Sequence, residues 1–214
     1  MSLIKYKTIG GNEVYEAEYT IQKSRFISHV RHVETEDEAK TFLLQIKKKY
    51  FDATHNCSAW VIGVLGDKQK SNDDGEPGGT AGNPILETIK KNGLTNTMVI
   101  VTRYFGGIKL GAGGLIRAYS HSAALGLSSS QIATMMPMQK IKFTVNYNLL
   151  NIVENWIRQK KIHIDNTEYA DNVTFNILVE PNDSDERLTD LTNLTSANFS
   201  YEIEGEKYKI ILNS

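Results

Sequence analysis

The sequence contains little cysteine and no long apolar run, and each shortage excludes a class of protein. Cys57 is the single cysteine among 214 residues, which excludes an internal disulfide and a zinc site built from several cysteines. A lone thiol suits a reducing compartment, so we expect the protein in the cytoplasm. No apolar run approaches the ~20 residues of a membrane-spanning helix, and the N-terminus lacks the apolar region of a signal peptide. The composition, 40% hydrophobic and 23% charged, is typical of a soluble globular protein.

Several well-known functional motifs are also missing. The P-loop pattern GxxxxGK[ST] fails because Lys109 precedes Leu110, and GxGxxG fails because Ile116 stands where a glycine is needed. No GxSxG nucleophile elbow occurs. The acidic segment 73–76 lacks the longer, spaced ligand set of an EF-hand. These absences exclude the commonest phosphate-binding loops, the serine-hydrolase elbow and an EF-hand calcium site.

Acidic side chains are absent from residues 88–153. Residues 1–134 carry 16 Lys/Arg against 13 Asp/Glu, a net +3, whereas residues 135–214 carry 8 against 12, a net −4. The cations inside the carboxylate-free stretch are Lys90, Lys91, Arg103, Lys109, Arg117, Lys140 and Lys142. Unopposed cations among glycines indicate an anionic partner. The alternative is that Asp73, Asp74 and Glu76 fold back and neutralise them.

Hydrophobic periodicity predicts an α+β first domain over residues 1–134. Its predicted elements are strands over 13–20 and 21–33, a helix after the Thr35–Glu38 capping box, a strand within 52–65, a helix from Pro84, a central strand over 97–101 and a helix over 115–127. Asn83 is expected to cap the second helix, and Asn92 with Gly93 to end it. The inward positions predicted for the last helix are Leu115, Ile116, Tyr119 and Ala123.

Residues 135–214 are predicted to form a second domain, after a boundary near 128–137. Alternating apolar residues predict strands around 141–145, 162–169, 173–179 and 199–212, and periodic ones predict helices over 147–159 and after a capping box at 183–186. The order βαββαβ is that of a ferredoxin-like sandwich. No RNA-recognition aromatic signature is present, and the net negative charge argues mildly against nucleic acid here.

The stretch Ser71–Arg117 crowds glycine and charge together, which indicates a functional site. Its acidic loop offers carboxylate oxygens for a hard cation such as Mg²⁺, although Asp and Gly are also ordinary turn residues. The candidate catalytic residues are His55, Asp73, Asp74 and Glu76, and the last three are also candidate metal ligands. Cys57 and His55 share a strand face, so a Cys–His nucleophile pair is conceivable; an inert buried thiol is the alternative.

The order strand, glycine loop, helix over 97–127 places backbone N–H groups and a positive helix end together, which favours anion binding. The predicted anion-binding or ligand-binding residues are Thr80, Arg103, Tyr104, Gly106, Gly107, Lys109, Gly111, Gly114 and Arg117. The alternative is that these glycines serve only tight packing of the helix on the sheet.

Six segments resemble the Impact/YigZ family across about residues 15–125. They are Ala53–Cys57 (ATHNC), Asn72–Pro77 (NDDGEP), Gly79–Gly82 (GTAG), Thr102–Gly107 (TRYFGG), Leu110–Gly111 (LG) and Gly114–Tyr119 (GLIRAY). The resemblance implies a first domain similar to the second domain of ribosomal protein S5. It implies a second, ferredoxin-like domain similar to the last domain of elongation factor G. Both folds recur in ribosome-associated proteins, which is an analogy of fold.

What the resemblance implies about function is limited. Eukaryotic members regulate translation by interfering with activation of the general-control kinase of translation initiation, and they carry an additional RWD domain for which we expect no room here. Three hypotheses therefore stay open. The first is a translation-linked regulatory protein that binds RNA, the ribosome or a protein factor. The second is an enzyme acting on a phosphorylated or other anionic small molecule through the acidic and glycine loops. The third is a purely structural clamp between those loops.

Overall fold

The computed structural model describes residues 3–213, which form an α+β fold, as predicted. The strands are β1 (Tyr6–Ile9), β2 (Tyr15–Ile21), β3 (Ser24–His32), β4 (His55–Ile62), β5 (Lys68–Asn72), β6 (Thr97–Tyr104), β7 (Ile132–Val145), β8 (His163–Tyr169), β9 (Val173–Val179) and β10 (Phe199–Leu212). The helices are α1 (Glu36–Lys49), α2 (Gly82–Lys91), α3 (Gly111–Ser129), α4 (Leu150–Gln159) and α5 (Ser184–Thr195). Two compact units result: residues 6–134 with 210–213, and residues 3–5 with 135–209.

The first unit is built on an antiparallel sheet in the order β2-β3-β6-β4-β5. The continuous apolar run Thr97–Val101 becomes the central strand β6, as predicted, because only a central strand buries both of its faces. On one face α1 packs Phe42 and Ile46 against Trp60. On the other face α2 and α3 enclose a larger apolar core. The sheet therefore delivers the end of β6 and the start of β4 to the same edge.

Helix α1 begins where the capping box predicts. The Thr35 Oγ1 accepts the Glu38 backbone N–H at 3.2 Å, and the Glu38 carboxylate accepts the backbone N–H of Glu34 at 2.7 Å. The predicted strand over 21–33 is wrong at its start, however. Gln22 and Lys23 both adopt left-handed conformations, with φ of 45° and 63°, and form a tight hairpin turn between β2 and β3. Ile21 consequently ends β2.

The starts of α2 and α3 also differ from the prediction. Helix α2 begins at Gly82, and Asn83 does not cap it but accepts the Ser71 hydroxyl instead. Helix α3 begins at Gly111, four residues before the predicted start, because tertiary packing overrides the poor helix propensity of its glycines. Ile116 was predicted to face inward and is 42% exposed.

The second unit has the predicted order βαββαβ in β7, α4, β8, β9, α5 and β10. Its strands pair in the order β10-β7-β9-β8, and Phe143 stacks on Phe175 in its core at 5.2 Å between ring centroids. The predicted capping box at 183–186 is wrong. Asp183 lies in a 3₁₀ turn with helical φ and ψ, so its side chain makes no cap hydrogen bond. Within residues 3–213 no helix is long and apolar enough to cross a membrane.

Candidate functional site: a buried ion pair beneath a basic cleft

Glu76 is the hub of the acidic loop. Its carboxylate is only 3% exposed, and Oε1 accepts from Arg103 Nη1 at 2.6 Å and from the Tyr119 hydroxyl at 2.7 Å. His55 Nε2 lies 3.9 Å from the same oxygen. The loop, the end of β6, α3 and the start of β4 therefore meet at one carboxylate.

Arg103 is buried within the first unit. Its side chain is 6% exposed, and its guanidinium carbon lies 5.4 Å from the Phe26 ring centroid and 5.5 Å from that of Phe105. A second nitrogen, Nη2, lies 3.4 Å from Ser24 Oγ, an acceptor on the neighbouring strand. The guanidinium is thus clamped between two rings and paired with one carboxylate, which is an arrangement for holding the fold together.

Asp73 joins the acidic loop to the start of α2. Its carboxylate accepts backbone N–H groups from Gly79 at 2.8 Å, Ala81 at 3.0 Å and Gly82 at 2.8 Å. Since α2 has no side-chain cap of its own, Asp73 satisfies its free N–H groups from outside the helix. Burial acts to raise the pKa of Asp73, but the three backbone donors outweigh burial and leave the pKa below its ordinary value of 3.8.

We expect Asp73→Asn to weaken the fold at neutral pH by about 1–3 kcal/mol, because charge-assisted hydrogen bonds are lost. The lowered folded-state pKa means that the carboxylate's contribution is complete above the ordinary pKa and disappears as pH falls through the folded pKa. Urea unfolding of parent and variant should therefore converge below about pH 4. Asp67→Asn, at an exposed carboxylate, is the control. If the free energies of unfolding of parent and Asp73→Asn differed by the same amount down to acidic pH, the charged Asp73 carboxylate would not be the stabilising group.

The Asp74 carboxylate is turned away from those of Asp73 and Glu76. Its Oδ1 accepts from Lys47 Nζ at 2.6 Å, its Oδ2 accepts the Asn56 backbone N–H at 2.7 Å, and its backbone oxygen lies 2.8 Å from His55 Nδ1. The three carboxylates proposed as metal ligands thus have three different sets of protein partners. No cluster of three or more His, Cys, Asp or Glu side chains suited to a metal occurs within residues 3–213.

Cys57 is fully buried beneath the acidic loop. Its Sγ lies 2.9 Å from the Asp73 backbone oxygen, to which it donates, and 3.4 Å from the Tyr119 hydroxyl. Burial raises the pKa of the thiol to about 12. The group therefore stays a protonated thiol at neutral pH, and among the described residues no hydrogen bond joins it to His55. This environment favours the alternative that Cys57 is an inert, buried thiol over a Cys–His nucleophile pair.

Three of the predicted anion donors are occupied within the protein. The Thr80 hydroxyl donates to the Pro77 backbone oxygen at 2.6 Å, and the Tyr104 hydroxyl donates to Asp52 at 2.8 Å. The Gly106 backbone N–H donates to Ser24 Oγ at 3.2 Å. The Thr80 bond lies within the acidic loop, whereas the Tyr104 and Gly106 bonds fix the end of β6 and the loop that follows it.

The remaining candidates lie further along that loop and on α3. Gly107 and Gly111 take left-handed φ values of 85° and 71° that favour glycine, and Gly114 lies close to the Leu110 side chain. Lys109 and Arg117 are exposed, and neither forms an ion pair with any residue in the described range 3–213. They are the part of the predicted anion site that is free to meet a ligand.

Arg117 lines a cleft of about 730 Å³ between α2 and α3, which the sequence did not predict. Its polar wall includes Lys91, Asn92 and His121, and its apolar wall includes Tyr19, Ile21 and Leu110, with Gln22 at the hairpin turn. Tyr19 and His121 meet edge to face at 4.4 Å. Among residues 3–213, no carboxylate lines the cleft. The signal available in the sequence was the carboxylate-free stretch itself, which contains both Lys91 and Arg117.

Comparison with known proteins agrees with these motifs. Residues 22–127, which contain the buried ion pair and all the residues that line the cleft except Tyr19 and Ile21, match the Impact N-terminal domain. Residues 143–198, within the βαββαβ unit, match a domain of unknown function, DUF1949. The chain belongs to the IMPACT family.

Particular relatives include bacterial and eukaryotic proteins. The chain is 47% identical over 184 residues to IMPACT family member YvyE of Bacillus subtilis, covering 85% of each chain. It is 36% identical to IMPACT family member YigZ of Escherichia coli, covering 70% of this chain and 74% of that one. Rat Protein IMPACT is 38% identical, but over only 44% of this chain and 31% of its own length. A crystal structure of a hypothetical protein is similar with a TM-score of 0.59 at 28% identity, covering 92% and 96% of the two chains.

Proposed function

We propose that this protein is a cytoplasmic, translation-linked binding protein that holds RNA, free or on the ribosome, against the cleft between α2 and α3. The observation that carries the proposal is the charge of that cleft and of its rim. Lys91, Lys109 and Arg117 are cations without an acidic partner in the described part of the chain, and no carboxylate lines the cleft. A phosphate backbone is the polymer that such a surface attracts.

The acidic loop has a different role in this proposal. Asp73, Asp74 and Glu76 are engaged by backbone N–H groups, Lys47 and Arg103, respectively. Of the three, Glu76 holds Arg103 near the end of β6, the strand that leads into the loop carrying Lys109. In this proposal, the buried Glu76–Arg103 ion pair holds the loop that presents the exposed cations. Membership of the IMPACT family supports a link with translation through the role of the eukaryotic members, which is an argument from relatives.

Arg117→Ala is expected to weaken RNA binding and to reduce its dependence on salt. Each phosphate contact to a single strand contributes about −0.7 to the slope of log K against log salt, so three contacts predict a roughly 20-fold loss between about 50 and 200 mM salt. Fluorescence anisotropy with a labelled unstructured RNA measures both quantities. The variant should lower the slope by about 0.7 and weaken binding at low salt by an amount similar for different sequences.

Lys48→Ala is the matched control, because Lys48 is an exposed cation on α1 without an ion pair in the range 3–213. It should leave both affinity and slope unchanged. Sedimentation of the full chain with ribosomes at low salt tests the ribosomal form of the proposal. Absence of both RNA binding and ribosome association at low salt would refute the proposed function.

A further inference from the structure

Phe105 holds a fixed aromatic ring at the surface of the first unit. The residue is 47% exposed, while its ring lies 5.5 Å from the buried Arg103 guanidinium carbon. Its backbone N–H donates to Thr54 Oγ1 at 3.0 Å. The ring therefore has one side set on a buried cation and substantial area left to solvent. Its position is determined before any ligand arrives.

The loop that carries the exposed ring also borders the basic cleft. Gln22 lines the cleft, and the next residue, Lys23, packs its backbone against Gly106, which directly follows Phe105. On the other side, Leu110 lines the cleft and ends the loop that begins with Phe105. That loop also carries the exposed Lys109 and Ile108, which is 43% exposed. A polymer that follows the cations out of the cleft reaches the ring next.

We infer that this surface binds single-stranded RNA, with one base stacked on Phe105 and the phosphates along Lys109, Arg117 and Lys91. The inference rests on the proposed function and adds the strand state of the RNA. An aromatic ring beside a cationic track is the arrangement that holds single strands, because every unpaired base offers a flat face for stacking. The bases of an RNA duplex are stacked on each other and cannot reach such a ring.

The test compares a labelled oligouridine of about 12 nucleotides with a blunt-ended two-strand RNA duplex of about 12 base pairs by fluorescence anisotropy. The full chain should bind the single strand at least tenfold more tightly. Phe105→Leu should weaken single-strand binding about 5- to 150-fold, the range that stacking on one aromatic side chain covers, and should leave duplex binding and the salt slope unchanged. Phe105→Trp should retain the affinity and show tryptophan fluorescence quenching when the single strand binds.

Phe51→Leu is the matched control, since Phe51 is an 84% exposed phenylalanine that precedes Asp52, the partner of Tyr104. Tyr104 is the last residue of β6 and Phe105 begins the loop after it, whereas Phe51 lies between α1 and β4. The inference would be overturned if the protein bound single strand and duplex with equal affinity, or if the Phe105→Leu variant bound single strands like the parent. In either case the proposed function would still stand, provided that RNA binding depends on Arg117. Loss of affinity in both Phe105→Leu and Phe105→Trp would assign the effect to folding and also overturn it. No RNA binding in any arm would overturn both.

Discussion

Arg103→Ala is expected to destabilise the first unit by on the order of 3–5 kcal/mol, because it leaves the Glu76 carboxylate charged and buried without its ion-pair partner. The Tyr119 hydroxyl alone would remain as a direct donor to that carboxylate. The substitution also removes the cation between the rings of Phe26 and Phe105, so part of the loss is packing. Urea unfolding monitored by circular dichroism measures the change in the free energy of unfolding.

Arg25→Ala is the matched comparison for this prediction. Arg25 pairs with Glu18 at 2.8 Å on the same sheet, but both side chains are 50% exposed, so its removal should cost less than about 1 kcal/mol. Combining Arg103→Met with Glu76→Gln removes both charges and should recover much of the loss, because no uncompensated buried charge remains. If Arg103→Ala and Arg25→Ala lowered the free energy of unfolding by the same amount, burial of the Arg103–Glu76 pair would add nothing to its stabilising effect.

The partners of the three carboxylates in the acidic loop could not be predicted from the sequence. Three acidic side chains within four positions looked like one cation site, yet each finds different partners. Asp73 turns to the backbone at the start of α2, Asp74 to Lys47 on α1, and Glu76 to Arg103 on β6. Lys47 and Arg103 each lie 27 positions away in sequence from the carboxylate that they contact, and Asp74 takes a left-handed conformation (φ 45°) in the turn between Asp73 and Glu76. Periodicity carries no information about such turns.

The helices and strands were easier to predict than the cleft between α2 and α3 and the exposed ring of Phe105. Capping at Thr35 and the apolar run over 97–101 follow from local rules, and both appear in the structure. The cleft is different, because it depends on how α2 and α3 pack and on a hairpin turn at Gln22 and Lys23 that contains no glycine. The TRYFGG segment contains Phe105, but nothing in the sequence marks its ring as exposed. The ring's position next to the buried Arg103 guanidinium depends on the assembled sheet.

Gly106→Ala tests the loop that links the clamp to the proposed RNA surface. An added Cβ at this position would overlap the backbone carbonyl of Lys23 in the hairpin turn, and backbone cannot move aside as a flexible side chain can. The φ of Gly106 lies outside the left-handed region, so the overlap alone decides the outcome. We expect a loss at or above the upper end of the ~1–3 kcal/mol typical of overpacking.

The same substitution should also weaken single-strand RNA binding at least as much as Phe105→Leu, because the shifted loop moves both the ring and Lys109. Gly78→Ala is the matched control, since its added Cβ meets nothing within 4 Å and its φ is also outside the left-handed region. The free energy of unfolding of Gly78→Ala should be unchanged or higher by up to about 1 kcal/mol, because alanine makes the unfolded chain less flexible. Thermal unfolding and anisotropy on the two variants separate the effects. A Gly106→Ala protein as stable as Gly78→Ala would mean that the loop yields freely, and the rigid placement of Phe105 on which single-strand recognition depends would then be wrong.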